Sequence, residues 1–187
     1  MENVNLTKTT HGKWAKLWIW AAVIQGLIAT LVTIWVLDPP QYFTGNPDYF
    51  SPSRVIAGGG GGTWFFTGYI SFVVVGVVAT AVTALFYYYI EDVQGKVYKG
   101  FSSILAWGHL AFMNVGVAGS MLLMMWGGYQ AGVAAAPVSE GGLNYTDYQI
   151  HVHYLGQLVN PIGGLILLAA IGALLGGLGY VVQSRAK

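Results

Sequence analysis

The stretch VIAGGGGGTWFFTGYISFVVVGVVATAVTALFYYYI, from Val55 to Ile90, contains no Asp, Glu, Lys or Arg. An ionised side chain near the centre of a bilayer costs roughly 3 kcal/mol or more, so a long charge-free apolar run is what a lipid-embedded helix requires. Three further stretches share the property: Leu17 to Leu37, Gly100 to Ser139 and Tyr148 to Ser184. A hydrocarbon core about 30 Å thick needs about 20 helical residues. Each stretch is long enough, which predicts an all-α, polytopic single membrane domain over 1–187, with four transmembrane helices at about 14–37, 63–90, 100–128 and 148–182.

Composition points the same way. With 55% hydrophobic and 8% charged residues, against about 25% charged in an ordinary soluble domain, the chain has too little polar surface for a water-soluble globule. Its cations fall in three groups: Lys8, Lys13 and Lys16 before the first span, Lys96 and Lys99 between the second and third, and Arg185 and Lys187 after the fourth. Cationic flanks stay in the cytoplasm, so both termini are expected there, with outer loops at about 38–62 and 129–147. Only Arg54 departs from the pattern. The expected location is the plasma membrane, crossed several times. The basic start MENVNLTKTTHGKWAK leads into a full-length apolar helix without a small-residue cleavage site, which reads as a retained first span. A net charge of +1 gives no reason to expect a nucleic-acid partner. The absence of cysteine excludes disulfides, thiolate catalysis, iron-sulfur clusters and Cys-ligated zinc.

Within this frame, Trp14, Trp18 and Trp20 at one end of the first helix and Trp35 at the other read as interfacial anchors, and Phe86 to Tyr89 as an aromatic belt. The segment from Asp38 to Gly62 holds four prolines and the run Gly58 to Gly62, and reads as a loop without regular helix. No Lys-Ser/Thr pair follows the glycines, so they are not a P-loop. The third helix carries GHLAFMNVGVAGSMLLMMWGG, in which Gly108, Gly116, Gly119 and Ser120 permit close backbone approach and Asn114 needs a hydrogen-bond partner. The fourth has Gln157 and Asn160 next to Pro161, a predicted kink, and then Gly172 and Gly176 in small-xxx-small spacing. Asn144-Tyr145-Thr146 is a glycosylation sequon on the expected outer side.

The candidate cofactor ligands are the histidines His11, His109, His151 and His153. His109 lies within a span, where a polar group faces a partner or cavity; it is read as hydrogen-bonded, or as a haem b ligand or member of a proton relay. A vertical gap of order 10 Å separates it from His153, which disfavours one haem held by both. Asp147, His151 and His153 form the most metal-like grouping, suited to copper or zinc with further ligands from another chain. In a helix Asp147 and His151 share a face while His151 and His153 diverge; in an extended chain the two imidazoles point to one side. The spans hold no Ser-His-Asp arrangement, paired carboxylates or Schiff-base lysine, so catalysis by this chain alone is not expected.

The run Gly108-His109-Leu110 through Asn114-Val115-Gly116 to Gly119 resembles histidine-bearing helices of haem-copper oxidases and related nitric oxide reductases. It covers about one helix, and the several further histidines of those catalytic subunits are absent. What the resemblance implies is a companion: a non-catalytic small membrane subunit of a respiratory terminal oxidase, packed against larger membrane subunits. Asp147 and His151 also resemble the Asp-xxx-His pair in the copper-binding subunit of ammonia and particulate methane monooxygenases, with Gly164 where a further histidine is expected. That resemblance implies an accessory subunit of a copper membrane monooxygenase as one alternative; the other is a haem b- or copper-binding membrane electron carrier using His109 or the pair His151 and His153.

Overall fold

A computed structural model describes residues 12–37 and 50–185. His11 and the prolines Pro39, Pro40 and Pro47 lie outside the described residues. All described secondary structure is helical. Four helices are long and apolar enough to cross a membrane: α1 (Lys13–Leu37), α3 (Gly61–Val93), α4 (Phe101–Ala135) and α5 (Asp147–Arg185). The short α2 (Pro52–Ala57) precedes α3. π-Helical turns interrupt α3 at Phe72–Ala79 and Tyr89–Val93, and α5 at His151–Leu155.

α2 corrects the expectation of a helix-free loop up to Gly62. Its start is encoded locally: Ser51 is the N-cap and accepts from the Arg54 amide, and Pro52 sits at the first helical position, where a missing N–H costs nothing. The glycine run then turns the chain, with Gly59 and Gly60 at φ +70° and +50°. Gly61 and Gly62 are closely packed; a Cβ on Gly61 would lie 2.6 Å from the backbone nitrogen of Gly132, and one on Gly62 would strike the Val55 carbonyl. The long glycine-containing approach lets the first half of α3 lie against α4.

The centre of the bundle is the antiparallel pair α4 and α5. Gly116 is seated on Ala169 and Leu165, Gly119 on Leu165, and Gly172 on Met113. Hydrocarbon is as apolar as leucine, so close van der Waals packing at small residues, rather than expulsion of water, drives such contacts. α1 packs mainly on the second half of α3. A polar knot ties them to α4: Gln25 Nε2 donates to Asn114 Oδ1 at 2.5 Å and reaches Thr80 Oγ1 at 3.5 Å, while Asn114 Nδ2 returns to the Leu110 carbonyl at 2.7 Å. Gln25 stands midway along α1, so the knot falls at the middle of that helix.

One end of the bundle carries the N-terminus of α1, the α3–α4 loop and the C-terminus of α5. There the Glu91 carboxylate accepts from the amides of Trp14 and Ala15, each at 3.0 Å, and Asp92 accepts from Gly12. The end of α3 thereby caps the exposed amides that begin α1, where negative charge also meets the positive pole of the helix. Lys96 donates to the Ser184 carbonyl and Gln183 Nε2 to the Val97 carbonyl, fastening the loop to α5. At the opposite end Arg54 pairs with Glu140. The one cation out of pattern is thus matched by an anion on its own side.

Trp14 and Trp18 do not face lipid, as interfacial anchors would. Trp18 is 0% exposed and Trp14 2%, packed with Tyr87 and Tyr98 in the interior, whereas Trp20 is 64% exposed. The aromatic belt divides likewise, with Tyr87 inside and Phe86, Tyr88 and Tyr89 outside. Two indoles and two phenols fill the interior between the helices at the end bearing the termini.

Candidate functional site

His109 stands on the third turn of α4 and is nine-tenths buried. Its seat is made by Gly176 on α5: a Cβ there would overlap the imidazole. The Trp18 ring lies 4.5 Å from the imidazole centroid to centroid, and Nδ1 is 3.1 Å from the Tyr87 hydroxyl. The indole N–H of Trp18, buried against the same ring, has no hydrogen-bond partner among the described residues. A hydrogen bond donated by the Tyr87 hydroxyl to Nδ1 leaves the imidazole hydrogen on Nε2. Nε2 has no partner among the described residues.

Beside His109 is a cleft of about 420 Å³ between α3, α4 and α5. Its inner wall is His109, Tyr87, Met113 and Gly176; Tyr98 from the α3–α4 loop and Tyr180 from α5 line the end nearest the termini. Phe86 and Tyr180 meet edge to face across it at 6.0 Å. Phe86, Ala173 and Gly177 are exposed at its mouth, which opens on the flank of the bundle. Burial raises the pKa of the Tyr98 phenol, with the carboxylate of Glu91 acting in the same direction, so Tyr98 stays a neutral donor.

The other predicted ligands are elsewhere. Asp147, His151 and His153 lie on the first turns of α5, all exposed, and among the described residues no three His, Asp or Glu side chains come together. The segment is helical, so His151 and His153 diverge; His153 packs on Tyr145 at 5.6 Å instead. His109 lies level with Gly176, which follows His153 by about 35 Å of helix at 1.5 Å per residue. One iron cannot be shared by those two histidines of a single chain.

Of the predicted hydrogen-bonding residues, Asn114 finds its partner on another helix, and that partner, Gln25, is one the sequence reading passed over. Its signal was present: an amide in the middle of an otherwise apolar span must be paired. Gln157 instead donates to the His153 carbonyl of its own helix at 3.3 Å, and α5 continues through Pro161. Asn160 is exposed. No family model matches the chain, and neither a curated protein nor a solved structure is significantly similar to it.

Proposed function

We propose that this chain is a non-catalytic integral-membrane subunit of a respiratory electron-transfer complex in the plasma membrane, most readily a haem-copper terminal oxidase, with both termini in the cytoplasm. The observation that carries the reading is the outward face of α5. Asn160, Gly163, Gly164 and Ala170 are exposed there, and a Cβ on Gly163 or Gly164 would meet nothing within 4 Å. Helices that face only lipid gain nothing from glycine, whereas helices that face another helix use small residues for close approach and an amide for a cross-helix hydrogen bond. The same kind of surface, on Gly116 and Gly172, joins α4 to α5 within the chain.

Two further features favour an accessory role. Several polar groups inside the spans hold helices together, in the Gln25–Thr80–Asn114 knot and the His109–Tyr87 contact. The cations of the described residues other than Arg54 gather at the end bearing the termini, as a cytoplasmic face requires. Native purification in a mild detergent tests the proposal: the tagged chain is expected to bring down larger haem-bearing membrane subunits. Migration alone, with no oxidase subunit retained, contradicts it.

A further inference from the structure

The cleft beside His109 contains two hydrogen-bonding groups that the fold buries and does not use. His109 is 9% exposed and commits Nδ1 to Tyr87, leaving Nε2 as its free polar atom. Tyr98 is 7% exposed, lines the same cleft, and its hydroxyl makes no hydrogen bond among the described residues. Both residues line the cleft without their polar atoms being sealed off, so the pair is open to a ligand that accepts hydrogen bonds. The remaining walls are aromatic rings, a thioether, alanine, glycine and Thr83, whose hydroxyl is committed to the Ala79 carbonyl, and they suit a flat, weakly polar body. A volume of about 420 Å³ lies within the usual range of small-molecule sites, about 300–1,000 Å³.

The position of the mouth narrows the class. Phe86, Ala173 and Gly177 place it on the flank of α3 and α5, inside the stretch long and apolar enough to cross the membrane, so the ligand arrives through lipid rather than water. Such a molecule has a planar ring carrying carbonyl acceptors and an apolar tail that remains in the bilayer. We propose that this cleft binds the head of a membrane-soluble quinone in its oxidised form, with His109 Nε2 and the Tyr98 hydroxyl donating to its carbonyl oxygens. The reduced quinol offers hydroxyl hydrogens where the cleft already supplies donors, so the oxidised ring is the better match. Every group involved belongs to this chain; the inference therefore stands or falls separately from the larger partner proposed above.

The test uses the full chain in phosphatidylcholine nanodiscs, titrated with a decyl-substituted benzoquinone and with empty discs as the measure of simple partitioning. Photolabelling with the azido form of the same quinone locates the site. Saturable binding is expected, with label in the peptides that carry Tyr98, His109 and Gly177. Gly177→Leu fills the mouth at a position where a Cβ meets nothing within 4 Å, so the fold is kept and binding should weaken by at least tenfold. Tyr98→Phe should weaken it about three- to tenfold, the worth of one hydrogen bond. Leu27→Ala, at an exposed position of α1 away from the cleft, should bind as wild type. Absence of saturation, unchanged binding by Gly177→Leu, or a Soret band showing haem on His109 in the purified chain would each overturn the proposal.

Discussion

Gly116→Ala places a methyl group where α4 and α5 touch. Its Cβ would lie 2.6 Å from both the Ala169 nitrogen and the Leu165 oxygen, and 2.9 Å from the Ala169 Cα. Ordinary carbon contacts begin at about 3.5 Å, so the seam must open by roughly 1 Å. All three atoms are backbone and cannot rotate away. The neighbouring seat of Gly172, where the Met113 nitrogen already lies 2.7 Å from the position of a Cβ, shares the same two rigid helices and loosens with it. Overpacking of this kind costs about 1–3 kcal/mol, and an immovable backbone puts the value at the upper end. Alanine recovers about 1 kcal/mol of helix propensity over glycine, leaving a net loss of about 2 kcal/mol, or roughly 30-fold in the unfolding equilibrium. Reversible unfolding by dodecyl sulfate in mixed micelles measures it, and Gly163→Ala is the matched control. There a Cβ meets nothing, so the same substitution should be neutral or stabilising by up to about 1 kcal/mol. Equal stability of the two variants would refute the reasoning that the seam is held by closeness.

Two predictions concern polar contacts. A double-mutant cycle on Gln25→Leu and Asn114→Leu should give a coupling of about 0.6–1.7 kcal/mol, the range found for hydrogen bonds between membrane helices; zero coupling would mean that the 2.5 Å contact is not made in the bilayer. Glu91→Ala removes the carboxylate that accepts from Trp14 and Ala15, and should destabilise the start of α1 by about 1–2 kcal/mol. Amide hydrogen exchange at those two residues should speed up at least fivefold while the middle of α4 is unchanged.

The membrane spans were legible because absence of charge over a long run is a local property of the chain, readable without knowing what packs on what. Seats for small residues were legible for the same reason: Gly116, Gly172 and Gly176 announce close approach, though not to which neighbour. What depends on three helices meeting was not. Trp18 and Tyr87 look like interface residues from their place near helix ends, and only the packing of α1, α3 and α4 on one another turns them inward onto His109. Gln25 was hidden by its apolar neighbours, and the caps from Glu91 and Asp92 join residues about 80 positions apart, which no periodicity reports. α2 was the opposite case, with Ser51 and Pro52 marking a helix start that the surrounding prolines and glycines obscured.

The claim on which the rest stands is that four helices cross the bilayer and return both ends to one compartment. The chain has no cysteine of its own, so single cysteines at Ser139 and Ser184 can be tested one at a time with a membrane-impermeant maleimide on intact cells. Labelling of Ser139→Cys but not of Ser184→Cys, with both reactive after lysis, is the predicted result. Labelling of the Ser184 position in intact cells, or of neither position before lysis, would contradict it.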